Sequence, residues 1–398
     1  MPARRRQEKT LEFNLRHLRV FLSASRNSSI TKAAEECRLS QPAVTQAINK
    51  LEDLLETALF QRSAHGVFVS QVGKVFGRRV ERALGLIDAS FLATAPRLQV
   101  TATAAQLRAF VAVCDCANFT LAARRLGIAQ PTVHRAVSQL EKEALKPLLE
   151  RTSNGIVPSR SGQSLARAAD LMFAELAQAA MEMSELKGRE SGRIVIGAMP
   201  LSRAYILPSV VAAFRKDWPR IELQVLDGPY DELIRELRCG AVDFLVGALR
   251  NPLPIEDVEQ SALFNDSLTV MARKDHPLAG RRGLIVDDLR SWPWVVAARG
   301  TPTRGHFDRL FKENGGQLPE SVVESGSMIF ARELLALSDH LACVSSLQAG
   351  REIAAGRIVA LPFRLPDTSR PIGITTRTGW EPTASQKALL ALLHRYDH

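Results

Sequence analysis

The sequence predicts a multidomain fold: two all-α domains of one design in tandem, then a long helix, then an α/β half of short strands alternating with helices. Three observations predict it. Residues up to 162 match themselves at one fixed offset of 89 positions, residues 163–187 carry an apolar seam without proline, and from Gly192 onward β-branched runs alternate with amphipathic segments.

The repeat pairs Phe21 with Phe110, Thr31 with Thr120, Ala33-Ala34 with Ala122-Ala123, and Gln41-Pro42 with Gln130-Pro131. It continues without a gap through Val44 and Val133, Leu51-Glu52 and Leu140-Glu141, Arg62 and Arg151, Gly66 and Gly155, Gly73 and Gly162. This is duplication of a domain, since solenoid repeats are shorter and more numerous. In the first copy Leu18, Phe21 and Leu22 form an apolar stripe, followed by SSITKAAEECRLS and QPAVTQAINKLEDLLE, two short helices with a tight connection.

The second helix of that pair has Ser40 at its N-cap and Pro42 in its first turn, where a missing N–H is harmless. Val44, Ile48, Leu51 and Leu55 recur at helical spacing as its buried face, which turns Gln41, Ala43, Thr45, Gln46 and Asn49 outward. Short polar side chains at an exposed helix start can reach base edges and phosphates of a duplex. The following ALFQRSAHGVFVSQVG is a short hairpin around Gly66, the wing of a winged helix-turn-helix, with Arg62 and His65 placed for the DNA backbone or minor groove. The apolar positions, Ala33, Ala34, Leu39, Val44 and Leu51, are core in any small three-helix domain; the outward polar set carries the nucleic-acid reading.

Charge distribution points the same way. Of 52 Lys and Arg and 42 Asp and Glu, 27 and 18 fall in residues 1–190, so the basic excess is N-terminal. A basic surplus alone is common among soluble domains and decides nothing without the helix pattern.

FLSASRNSSITKAAEECRLSQPAVTQAINKLEDLLETALFQR and its second copy, FVAVCDCANFTLAARRLGIAQPTVHRAVSQLEKEALKPLLERT, resemble the DNA-binding domain of LysR-type transcriptional regulators. The resemblance implies DNA contacts from Ser40, Gln41, Pro42, Thr45, Gln46, Asn49, Arg62 and His65 in copy one, and from Gln130, Pro131, Thr132, His134, Arg135 and Arg151 in copy two. Each copy departs from the family. Glu56 and Leu145 replace the glycine usual after the recognition helix, Ala129 replaces the capping serine, and His134 replaces a small hydroxyl residue.

In residues 163–187, Leu165, Ala169, Met172, Leu176, Ala179, Met183 and Leu186 alternate spacings of four and three, a heptad seam. Such a helix either packs on its own domain or, as the resemblance implies, pairs two subunits and presents two reading heads. Copy one has a shorter counterpart in Val72, Phe76, Val80, Ala83, Ile87 and Phe91, stopped near Pro96, and TAPRLQVTATAA reads as the linker between copies. The expected domains are residues 1–98, 104–162, a linker (dimerisation) helix at 163–190, and an effector-binding domain at 192–398.

In that last domain GRIVIGAMP, IELQVLDGP and VDFLVGAL read as strands of a βαβ series. The rest of the chain resembles the LysR-type effector domain, which is similar to periplasmic binding proteins. That implies two lobes, one from about 192–268 and 368–398 and the other from about 269–367, with crossings in FNDSLTVMARKDHPLA and near Leu361–Arg370. Ligands in such folds sit at strand C-termini and helix N-termini. The matching positions are Pro200, Leu201 and Ser202; Gly228, Pro229 and Tyr230; and Thr301, Pro302, Thr303 and Arg304, with Ser325, Gly326 and Ser327 as weaker candidates. The family often carries a hydroxyl where Leu201 stands. Arg304 could clamp an acid, whereas a lone loop arginine is more often a surface or interlobe contact. GPYDELIRELRCGAVDFLVGALRNP resembles the subgroup that controls uptake or breakdown of sugars and aromatic acids.

No GxSxG, P-loop, HExxH or GxGxxG sits at a strand-helix junction, so the sequence reads as a regulator and not an enzyme. Cys37, Cys114, Cys116, Cys239 and Cys343 have no metal-ligand spacing and read as reduced, and no cofactor or metal is expected. The basic start leads into no signal-type segment and no apolar run is long enough to span a bilayer, so a cytoplasmic protein with no membrane partner is expected. The expected partners are double-stranded DNA, a small-molecule sugar or organic or aromatic acid, a second copy or more of the chain (homodimer or homotetramer), and RNA polymerase. The rival reading is a solute-binding module whose N-terminal helices only mediate assembly, which predicts no salt-dependent DNA affinity.

Overall fold

The computed structural model describes residues 12–63, 66–153, 155–189, 191–253, 255–354 and 356–396. The chain divides into two units, the first running to Arg193 with Cys239–Ala241 and the second formed by the remainder.

Copy one comprises α1 (Leu15–Asn27), α2 (Ile30–Cys37), α3 (Gln41–Leu55), the hairpin β1 (Phe60–Ser63) and β2 (Gly66–Val69), and the long α4 (Gln71–Thr94). A short α5 (Leu98–Thr101) interrupts the expected linker, because Leu98 is apolar and fully buried. Copy two repeats the order as α6 (Ala104–Cys116), α7 (Phe119–Leu126), α8 (Gln130–Ala144), β3 (Leu149–Thr152), β4 (Gly155–Pro158) and α9 (Arg160–Leu186).

The duplication extends to helix ends. Asn14, Ser29, Ser40 and Ser70 cap α1 to α4 by accepting backbone N–H bonds, and 89 residues on Thr103, Asn118 and Ser159 do the same. Ala129 has no side chain to cap α8, an omission that costs about 1 kcal/mol. The helices before the hairpins close in left-handed backbone at matched positions: Ser28, Arg38 and Glu56 in copy one, Ala117, Gly127 and Leu145 in copy two. Glu56 (φ 48°) and Leu145 (φ 56°) thus hold the glycine conformation without being glycine. Gly73 and Gly162 are required by close approach, since an added Cβ would lie 2.2 Å from the Leu59 carbonyl oxygen and 2.1 Å from that of Leu148.

A single core runs through both copies. Phe21 meets Phe60 and Phe76 edge to face or tilted, with ring centroids 5.5 and 5.2 Å apart. Leu165, Ala169, Met172, Leu176, Ala179 and Met183 are buried, and the helix they line packs on α4, whose Phe76, Val80, Ala83, Ile87 and Phe91 are buried in return. Of the two expected partners for the seam, the helix of its own chain is the one seen here: α4 packs along it. Leu186, at the end of the pattern, is exposed.

In the second unit, lobe one is a five-stranded sheet of order β6-β5-β7-β14-β8: β5 (Arg193–Ala198), β6 (Glu222–Asp227), β7 (Phe244–Ala248), β8 (Val258–Asp266) and β14 (Arg370–Arg377). Its helices are α10 (Pro200–Ala204), α11 (Leu207–Asp217), α12 (Tyr230–Arg238) and the C-terminal α17 (Ala384–His394). β5 and β7 are parallel as the βαβ pattern requires, while β14 runs antiparallel to β7 and β8 because it returns from the other lobe. Lobe two has order β11-β10-β12-β9-β13, from β9 (Leu268–Arg273), β10 (Trp294–Val296), β11 (Val322–Glu324), β12 (Leu341–Ser345) and β13 (Ile358–Ala360). α13 (Val286–Arg290), α14 (Pro302–Glu313), α15 (Met328–Leu337) and α16 (Ser346–Ala354) complete it, and Trp294 is its fully buried centre against Phe307 and Phe311.

Candidate nucleic-acid interface and effector cleft

The outward face of α3 follows from which residues it buries. Val44, Ile48, Leu51 and Leu55 are buried as the spacing predicts, Ser40, Gln41, Pro42, Gln46 and Asn49 are exposed, and Thr45 is half-buried. In α8 the buried set is Val133, Val137, Leu140 and Ala144, and Gln130, Pro131, Thr132, His134 and Arg135 are exposed. Both helices therefore present their polar first turns to solvent. Arg151 is exposed on β3; Arg62 occupies the matching place on β1, paired with Val67 of β2, and His65 lies outside the described residues.

The two faces are built alike but lettered differently. At the offset of 89, Thr45 corresponds to His134, Gln46 to Arg135 and Asn49 to Ser138. In copy one the Gln41 amide donates to Thr31 Oγ1 at 3.1 Å, bracing the start of α3 on α2. In copy two the His134 ring lies 5.1 Å from that of Phe119. The matched Glu52 and Glu141 have a supporting role: each carboxylate accepts two backbone N–H bonds, from Leu59 and Phe60 and from Leu148 and Leu149, fixing the hairpin on the recognition helix. In copy one, burial first and then the neighbouring cations Lys50 and Arg16 hold His17 below its ordinary pKa.

In the second unit a cavity of about 510 Å³ lies at the start of α14, bordered by Arg250, Arg299, Gly300, Thr301, Pro302, Arg304, Gly305, Asp308, Lys312 and Leu318. Thr301 caps α14, accepting from the Arg304 N–H, so the positive end of the helix faces this space. Arg304 is buried and donates to Asp308 at 2.7 Å, Glu324 at 3.1 Å and the Ala297 carbonyl at 3.4 Å. Its guanidinium is thus an anchor inside lobe two, neither a surface group nor an interlobe contact. Arg250 reaches the cavity from lobe one, its guanidinium carbon 4.4 Å from the Tyr230 ring centre. The Tyr230 hydroxyl is buried with no hydrogen-bond partner among the described residues, and burial raises its pKa.

The other expected positions separate. Ser202 is fully buried and its hydroxyl lies 2.7 Å from the carbonyls of both Met199 and Val246; Leu201 is buried beside it, and Pro200 is exposed. Gly228 and Pro229 lead into α12. Thr303 accepts a bond from Arg370 at 2.6 Å, and Arg370 also pairs with fully buried Asp266 at 3.0 Å, which accepts from Ser345. This ties the two strands that cross between lobes to the start of α14.

Models described as the helix-turn-helix of the lysR family of bacterial regulatory proteins match residues 15–74 and again 104–163, and one described as the LysR substrate binding domain matches 187–397. The chain belongs to the LysR family of transcriptional regulators. It is a LysR-type DNA-binding regulator with an effector-binding domain and a doubled helix-turn-helix. It is 33% identical over 385 residues to the HTH-type transcriptional regulator GalR of Pseudomonas putida, covering 96% of this chain and 97% of that protein. With the HTH-type transcriptional regulator CbbR of Xanthobacter flavus it shares 30% identity over 295 residues, 74% of this chain and 87% of the relative. Among solved structures, CbnR, a LysR family transcriptional regulator, shares the fold at a TM-score of 0.51 and 20% identity, covering 73% of this chain and 97% of that one. Among the described residues of this LysR-type chain no helix is long and apolar enough to cross a membrane, and no cluster of three or more metal-binding side chains occurs.

Sequence reasoning missed Arg250, Arg299, Lys312 and the Asp266–Arg370 pair. The last had a readable signal, since both residues sit where a strand leaves one lobe for the other.

Proposed function

We propose that this regulator responds to an organic or aromatic acid, bound at the start of α14 against Arg250, and that the outward residues of α3 and α8 contact its operator. The carrying observation is the charge of the cavity: Arg250, Arg299 and Lys312 border it beside Arg304, whose own charge Asp308 and Glu324 already meet. A carboxylate gains from this field and makes charge-assisted bonds with the N–H groups of the helix start, whereas a neutral sugar makes only the weaker neutral bonds and gains nothing from the net charge. A space of this size suits one small ligand. Such a regulator works with duplex DNA in the cytoplasm, and its effect on transcription is exerted on RNA polymerase.

The test is a panel of carboxylates and their neutral amides titrated into the full chain, with fluorescence as readout. The expected result is saturable response to one or more acids, weakened about tenfold or more in Arg250→Ala by loss of a charge-assisted bond. Response to a neutral sugar with Arg250→Ala unaffected would overturn it.

A further inference from the structure

The long helices α4 and α9 pack antiparallel. Arg79 Nε donates to Glu182 at 2.8 Å, while Arg82, one turn further along α4, donates to Glu175, two turns earlier along α9. Arg79 is fully buried and also reaches Glu175 at 3.2 Å and Gln178 at 3.0 Å.

The ends of the two helices show reciprocal contacts. Beyond α4, Arg97 pairs with Glu143 at 2.7 Å and donates to the Lys142 carbonyl, at the C-terminal end of α8 in copy two. Beyond α9, Lys187 donates to the Leu55 carbonyl and Arg189 pairs with Glu56 at 2.7 Å, at the C-terminal end of α3 in copy one. Each long helix thus ends on the recognition helix of the other copy, with cations at the negative end of the helix dipole. That is the pattern of a two-fold relation between the copies.

The pairing is also exclusive. At the offset of 89, Ala168 stands in α9 where α4 has Arg79, and Leu86 and Ala93 stand in α4 where α9 has Glu175 and Glu182. Two copies of α4 in this register would bury Arg79 against Leu86 and Ala93; two copies of α9 would set Glu175 and Glu182 against Ala168 and Leu171. Either leaves a buried charge without its partner, the costliest outcome for such a contact. Only α4 with α9 satisfies both sides.

We propose that one chain supplies both heads of a two-headed reader, and that copy one and copy two contact two unlike half-sites of a single duplex. This rests on the DNA-reading role of the two copies and adds the symmetry of what they read. Gln46 and Arg135 occupy the same place on the two recognition helices, and their side chains match different bases: glutamine the N6/N7 edge of adenine, arginine the O6/N7 edge of guanine. The operator is then an ordered pair of different half-sites and not an inverted repeat.

The experiment selects bound duplexes from a random-sequence pool with the full chain, then with the exposed-residue variants Gln46→Ala and Arg135→Ala. The expected wild-type consensus has two unlike halves in fixed order. Each variant blurs one half only, with about tenfold or greater loss of affinity for the whole site. An equimolar mixture of the two variants binds no better than either alone, because no single chain carries both intact heads. An inverted-repeat consensus, variants that blur the same positions, or recovery of affinity on mixing would overturn the proposal. Enrichment of no duplex at all would instead remove the DNA reading beneath it.

Discussion

Replacing Arg79 by methionine keeps an unbranched, apolar though shorter side chain in the α4–α9 interface and removes the cation at its centre. Arg79 is fully buried, and its loss strips Glu182 of two bonds, at 2.8 and 3.2 Å, and removes a donor from Glu175 and from Gln178. Removing one partner of a buried ion pair costs about 3–5 kcal/mol. Here Glu175 keeps Arg82 and Glu182 keeps Arg78, at 3.2 and 3.5 Å, which places the expectation at the lower end, about 3 kcal/mol. All four tryptophans, Trp218, Trp292, Trp294 and Trp380, lie in the second unit, so tryptophan emission does not report on these helices. Hydrogen exchange of peptides from residues 71–94 and 160–186 does. A 3 kcal/mol loss accelerates their slowest amides by roughly a hundredfold if they exchange through separation of the helices. Acceleration below about fivefold would show that apolar packing alone holds the pair and that the buried charges add no more than a surface ion pair does.

Copy two should gain from repairing its two lapses: Leu145→Gly relieves left-handed strain and Ala129→Ser restores a cap, each worth about 1 kcal/mol, read as slower exchange in residues 130–144. Burial, outweighing Asp339, keeps His276 below its ordinary pKa of 6.5, with Nδ1 accepting from the Leu278 N–H. Its contribution to stability is therefore complete above pH 6.5 and lost as pH falls from there through the lowered value; His276→Asn should flatten part of that fall in urea titrations followed by tryptophan emission. Burial pushes the thiols of Cys114 and Cys343 up to about 12, so iodoacetamide at pH 8 should label both slowly before unfolding, and rapid labelling mapped by peptide to buried Cys343 would contradict its burial. Gly73→Ala and Gly162→Ala, each driving a Cβ onto a carbonyl, should cost their copies about 2 kcal/mol or more by thermal melts in far-ultraviolet dichroism.

Local features were readable in proportion to how locally they are determined. The repeat offset, the Ser40 cap and the buried stripe of α3 depend on neighbours within one or two turns, and the structure places them as the residues imply. The partner of α9 was not readable from its heptads, because an apolar seam states that something covers it and not which helix does. The distinguishing mark was polar: Glu175 and Glu182 stand one heptad apart inside the seam, and Arg79 stands inside the stripe of α4. Arg304 was legible as a cleft residue but not as a paired one, since Glu324 reaches it from a strand twenty positions away. Arg250 and Arg299 come to one cavity from loops in different lobes, a meeting fixed only by the folded sheets.

The filling of α9 by α4 has a bearing on life among relatives. Regulators that assemble their heads from separate chains can lose them on dilution and exchange them with similar chains in the same cell. A covalently tethered pair does neither, since its effective concentration is set by the connecting residues and not by expression level. A few molecules per cell would keep both heads together, and the mismatched charges on the two long helices would exclude borrowed ones.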